Sequence, residues 1–277
     1  MQAASREALA ASRGRLGQQT GAPSGARADG QALLGLADDL FAVATLLDGQ
    51  VSLRRALADA SVRPDDRAGL AGRLLAGKVG DGALDVVQTV ARQRWSRPLD
   101  LVEAAETLAT DAALDAAQAR GELDAVEDEL FRFSRIIEGD PALARLLGDP
   151  AADRAGKTAL LDRLLAGKVS PVTERLVRNA LTSQHVHNAA NAVERISEAA
   201  SARRGQSVAH VTSAVELTDE QRRRLTGILE RTYGRTIGLQ VQVDPGIVGG
   251  LVIRVGDEIV DGSIANRLAA AGRRFAG

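Results

Sequence analysis

The chain contains no cysteine. Disulfides and thiolate metal sites are therefore excluded, and a reducing compartment fits. Aromatic residues are almost as scarce: one Trp, one Tyr and four Phe, 2% of 277 positions. A core must then be built from Leu, Val, Ile and Ala, and a hydrophobic content of 45% is enough to build one. Lysine is confined to Lys78, Lys157 and Lys168. Charge of one sign is lacking too, since 35 basic and 36 acidic residues leave a net charge of −1. Phosphate-backbone binding normally goes with a basic excess, so nucleic acid is not the expected partner. No run of 18 apolar residues occurs, and no segment is expected to span a bilayer. The first 20 residues, "MQAASREALAASRGRLGQQT", lack the apolar core of a signal peptide and read as a short amphipathic helix.

What is abundant is Ala and Leu, the strongest helix formers. The heptapeptide "RLLAGKV" stands at residues 73–79 and again at 163–169. With the same offset of 90, "DDLFAVATLLDGQVSLRRALAD" (38–59) faces "DELFRFSRIIEGDPALARLLGD" (128–149) without a gap. Asp38, Leu40, Phe41, Gly49, Leu53, Arg55, Leu57 and Asp59 are repeated as Asp128, Leu130, Phe131, Gly139, Leu143, Arg145, Leu147 and Asp149. This is an internal duplication. The apolar stripe duplicates with it: Leu33, Leu36, Leu40, Val43 and Leu47 correspond to Leu123, Val126, Leu130, Phe133 and Ile137. Steps of three and four place five side chains on one helix face. A single helix cannot bury such a stripe alone, so each copy is expected to be a small helical bundle. Gly49 and Gly139 are expected to end the long helix, and Gly77 and Gly167 to stop a later one. Pro171 suits the first turn of the next helix. Loop signals fall at "TGAPSGARADG" (20–30) and "SRPLD" (96–100).

After about residue 205 the period changes. "SVAHVTSAVEL" is rich in β-branched residues. Thr218 precedes Gln221 by three at the start of a helix, the spacing of a capping box. Ile237, Leu239, Val241 and Val243 alternate with polar residues or Gly, and Leu251, Ile253 and Val255 repeat the two-residue spacing. "DGSIANRLAAAGRRFAG" reads as a closing helix capped by Asp261 or Ser263. The expected fold is mainly α. Two tandem helical bundles (1–100 and 101–205) precede a small α/β domain (206–277) in the order strand, helix, strand, strand, helix.

No catalytic, cofactor-binding or metal-binding residue is assigned. Gly156-Lys157-Thr158 has the tail of a phosphate-binding loop, but Ala151 stands where its first Gly belongs. Gly72 is correctly placed before Gly77-Lys78, but Val79 replaces the magnesium-binding hydroxyl. Both lie inside helical patterns. His185 and His187 form "HVH" near a helix end, with too few further ligands for a metal site. The carboxylates alternate with Arg on solvated helix faces. Trp95 reads as core or interface packing, and Gly249-Gly250 as a turn between strands.

Val211-Thr212-Ser213-Ala214 precedes a Leu-Thr helix start; Asp244-Pro245, Gly249-Gly250 and Asp261-Gly262-Ser263-Ile264 follow. In that order and spacing they resemble the C-terminal part of the delta subunit family of bacterial rotary ATP synthase, counterpart of the mitochondrial oligomycin-sensitivity-conferring protein. Residues 123–184 resemble the family's single helical bundle, so the likeness covers roughly 101–277. It departs at "QHVHNAANA", which replaces an Arg-containing segment, and in the first hundred residues, an extra copy of the bundle. That elongated form is similar to the delta subunit of high-GC Gram-positive bacteria. The resemblance implies a stator subunit without chemistry, cofactor or metal, present in one copy per complex. It would tie the alpha subunits of the catalytic head to a b-type stalk at the cytoplasmic face of the plasma membrane, without inserting into the bilayer. The motif residues Ser213, Ala214, Asp244, Pro245, Gly249, Gly250, Asp261, Gly262 and Ser263 would then be structural or interaction residues. The stripe Leu123, Val126, Leu130, Phe133 and Ile137 is the candidate lining of a helix-binding groove. Two other classes stay open on the residues alone: a helical scaffold of an unrelated complex, and a nucleotide-dependent enzyme acting through Lys157.

Overall fold

The computed structural model describes residues 1–20, 29–206, 208–233, 237–244, 250–255 and 258–261. Those up to Ala200 form one compact unit and those from Ser201 another.

The first unit is helical throughout. α1 (Ala3–Thr20) is followed by α2 (Gly30–Gly49), α3 (Val51–Ala58), α4 (Pro64–Leu75) and α5 (Asp81–Arg92). α6 (Pro98–Arg120) leads into α7 (Leu123–Gly139), α8 (Pro141–Gly148), α9 (Arg154–Leu165), α10 (Pro171–Thr182) and α11 (Ala189–Gln206). Shifted by 90 positions, α3, α4 and α5 coincide end for end with α8, α9 and α10. Prolines open α4, α6, α8 and α10, where a missing N–H leaves no bond unmade. Asp140 caps α8 by accepting from the Ala142 and Leu143 amides, and Ser170 caps α10 through the Thr173 amide.

The repeated heptapeptide ends α4 and α9. Gly77 and Gly167 take φ of +70° and +69°, a left-handed conformation that disfavours any Cβ. In each copy the following lysine amide donates at 2.9 Å to the leucine two residues before the Gly, from Lys78 to Leu75 and from Lys168 to Leu165. Gly49 and Gly139 end their helices as expected. Each is the last helical residue, and the chain leaves the helical region at Gln50 and Asp140.

One apolar core runs from Ala8 in α1 to Ala200 in α11. α6 lies at its centre, with Leu101, Val102, Leu108, Leu114 and seven alanines among its buried residues. It packs most extensively on α2, and also on α1, α3, α5, α7 and α10. Because α6 is covered nearly all round, it carries no amphipathic signal, and its alanines let neighbouring backbones approach closely. α2 is the helix whose length and hydropathy suit a bilayer best, but its Leu33, Leu34, Leu40, Phe41, Val43 and Leu47 enter this core.

The second unit contains β1 (Val208–Ser213), α12 (Asp219–Tyr233), β2 (Gly238–Val243), β3 (Leu251–Val255) and β4 (Glu258–Asp261). Sheet order is β2-β1-β3-β4. β1 and β2 pair in parallel, joined through α12, whereas β3 is antiparallel to β1 and β4 to β3. The capping box forms: the Gln221 amide donates to Thr218 Oγ1 at 3.2 Å, and the Thr218 amide to Gln221 Oε1 at 2.9 Å. Ala209, Val211, Leu229, Ile237 and Val255 make the core. On the opposite face His210 stands between Gln240 and Arg254, all three exposed, so the sheet is wet on one side. β4 adds a strand to the expected order. Asp261 ends that strand, and the closing helix expected after it lies outside the described residues.

Candidate interaction surfaces

The lysine of the false phosphate loop has a structural task. Lys157 is buried in α9, and its Nζ donates to the Leu147 carbonyl at 2.9 Å, at the end of α8. Burial lowers its pKa, and the Asp149 carboxylate opposes that shift. The equivalent position in the first copy is Arg67, also buried. Its guanidinium donates to the carbonyls of Asp59, Val62, Ala91, Arg92 and Gln93 at 2.7–3.0 Å. In both copies a buried cation therefore satisfies carbonyls that helix ends leave without partners. Sequence reading missed Arg67, although the offset of 90 sets it opposite Lys157.

His185 meets a carboxylate. Its Nε2 abuts Asp48 Oδ1. Asp48 is buried at the end of α2; its Oδ2 accepts from the Gln184 amide at 3.1 Å. Beside it, Ser183 Oγ donates to Glu106 of α6 at 2.8 Å. Burial pushes the Glu106 carboxyl above its ordinary range, and Asp48 and Glu103 add to the shift against the pull of Ser183 and His185. This polar cluster joins the end of α2, the middle of α6 and the α10–α11 connection. A second buried polar contact ties α1 to α6: Ser5 Oγ donates to Asp100 Oδ2 at 2.7 Å. Burial alone would raise the Asp100 carboxyl, but Ser5 and Arg97 outweigh it and hold it below the usual carboxylate range. Among the described residues no three His, Asp or Glu side chains gather as a metal site.

The candidate groove stripe faces inward. Leu123, Val126, Leu130, Phe133 and Ile137 are 0–6% exposed, in the common core. Burying such a side chain contributes about 1.5–3 kcal/mol, which explains the regular stripe without a partner. The large apolar side chains that α7 exposes are Phe131 and Ile136.

The motif residues of the second unit converge. Ser213 ends β1, with Ala214 in the bend after it, and the Asp244 amide donates to the Ser213 carbonyl at 2.8 Å. Ser213 is also paired with Leu251, which directly follows Gly250, and Val252 is paired with Asp261. Gly250 has φ +88°, so the turn into β3 requires glycine. Ser213, Ala214, Asp244, Gly250 and Asp261 thus share one end of the sheet. Pro245, Gly249, Gly262 and Ser263 lie outside the described residues. Trp95 is buried, donating from Nε1 to the Val90 carbonyl at 2.9 Å.

These features define a class: a duplicated helical body with a small α/β unit, whose buried charges serve helix ends and inter-helix contacts. Residues 109–275 match the family described as ATP synthase delta (OSCP) subunit. The chain is 47% identical over 275 residues to an ATP synthase subunit delta of Parafrankia sp. (strain EAN1pec), covering 99% of both chains. It is 46% identical over 277 residues to that of Streptomyces griseus, covering 100% of both. With that of Rhodococcus opacus (strain B4) it shares 45% over 271 residues, 98% of this chain and 97% of the other. The chain belongs to the ATP synthase delta (OSCP) subunit family. It is a non-catalytic subunit of the complex. The family match begins only at residue 109, but the full-length relatives align through the first copy as well.

Proposed function

We propose that the chain is the mechanical clamp of the stator. It ties the alpha subunits of the catalytic head to a b-type stalk subunit at the cytoplasmic face of the membrane, one copy per complex. On this reading the second copy (101–205) holds the head, the first (1–100) braces the stalk, and the α/β segment (206–277) meets the b-type subunit, with its motif residues shaping that end of the sheet. The observation that supports it is the uninterrupted aliphatic core from α1 to α11. Close-packed side chains of low compressibility transmit a load between two attachment points, as resisting rotor torque demands. The near-zero net charge suits protein partners.

The cysteine-free sequence provides the test. Arg55 and Arg145 are exposed, repeat-equivalent positions. Arg145→Cys, labelled with a photoreactive maleimide in the assembled synthase, is expected to cross-link to alpha, and Arg55→Cys to the b-type subunit. The reverse pattern overturns the division of labour. A synthase reassembled without the chain is expected to hydrolyse ATP yet lose proton-driven synthesis; undiminished synthesis overturns the clamp itself.

A further inference from the structure

The two copies treat one residue oppositely. Phe41 of α2 is 6% exposed; its twin Phe131, at the same place on α7, is 57% exposed. Exposed single hydrophobics are ordinary on a surface. This chain, however, has only four Phe, and Phe131 sits where the first copy carries an internal docking face. Asp38, Phe41 and Thr45 form one stripe of α2. Arg175 of α10 donates to Asp38 at 2.8 Å, and Arg154 of α9 donates to Thr45 at 3.1 Å. Two helices of the second copy thus reach the two ends of that stripe, and Phe41, between the two contacts, is buried.

On α7 the same stripe reads Asp128, Phe131 and Arg135. Asp128 and Arg135 are exposed and, among the described residues, pair with neighbours on their own helix, Arg132 and Glu138. Such surface pairs contribute little and exchange readily for others. We infer that the Phe131 face of α7 docks an amphipathic helix of a partner protein. That helix presents an apolar ridge to Phe131, a Lys or Arg to Asp128 and, about seven residues along, an Asp or Glu to Arg135. The cation follows the precedent of Arg175 on Asp38. The anion follows from the replacement of Thr45 by Arg135, which would repel a counterpart of Arg154. Asp128 and Arg135 lie two turns apart, so a partner helix laid along α7 meets both with one heptad.

A second copy of this chain does not fit. Continuing the array would bring the first-copy counterparts of Arg175 and Arg154 onto α7, and these are Asp85 and Pro64. Asp85 would face Asp128 as a like charge, and it is already held by Arg15 at 2.5 Å and Gln19 at 2.7 Å. The occupant is a different protein, whichever subunit supplies it.

The test is rebinding of full-length chain to synthase stripped of it. Phe131→Asp is expected to weaken rebinding about ten- to hundred-fold, as loss of a central anchor does, with an unchanged melting temperature. Asp128→Lys is expected to weaken it as well. Rebinding of both variants at unaltered affinity overturns the inference. So does cross-linking from Phe131→Cys to a second copy of the chain alone. Failure of the unaltered chain to rebind would instead count against the clamp reading, which keeps the two apart.

Discussion

Glu106 shows how one side chain can link pH to the joining of the two copies. It is held by Ser183 of the second copy, near Asp48 of the first, with Glu103 on its own helix and His185 across the cluster. Burial raises its pKa above the ordinary 4.5, so the native chain holds this proton more tightly than the unfolded chain. Its stabilising contribution is therefore complete below about pH 4.5 and is lost as the pH rises through the higher native value. Glu106→Gln keeps an acceptor for Ser183 and removes the charge. Its melting temperature is expected to rise relative to the parent by a few degrees as the pH is raised from 4.5 to 8, the scale of about 1 kcal/mol in a unit of this size. A difference that stays constant over that range would refute the account. Arg67 and Lys157 teach a related lesson: a Gly-Lys-Thr string looked like nucleotide chemistry, yet the amine caps a carbonyl.

At the scale of elements, the heptapeptide repeats because the same turn must be made twice. Gly77→Ala and Gly167→Ala force a Cβ into a left-handed residue, and each is expected to cost about 1–2 kcal/mol in urea unfolding with the slope unchanged. Gly49→Ala serves as the control. Gly49 is helical and not left-handed, so alanine there is expected to be neutral or stabilising. Equal losses at all three positions would contradict the cap assignment. Helix starts were legible for a local reason: Pro171 and the Thr218–Gln221 pair act on backbone groups within four residues. α6 was not legible in this way. Its Ala-rich surface carries no stripe, because periodicity records a boundary between core and water, and α6 has almost none.

For the molecule as a whole, the consequence of duplication is fusion of the two cores. α2 belongs to one copy and lies along α6, which leads into the other. A chain lacking residues 1–97 would leave α6 without its most extensive partner. It is expected to expose apolar surface, bind a hydrophobic dye and lose cooperative melting. A truncated monomer that melts as sharply as the parent, at the same temperature, would show that the second copy needs no brace.

The sequence by itself determined what is local or periodic: the helical character, the 90-residue duplication, the left-handed glycines, the switch to a two-residue period and the motif that marks the family. Only the tertiary structure decided which apolar residues are core and which are surface. Phe41 and Phe131 are the same residue in the same register, yet one is covered and the other bare. The stripe Leu123 to Ile137, a candidate groove by pattern, closes on the core instead. The physical reason is that periodicity reports that a face is apolar, and burial depends on what the rest of the chain brings to that face.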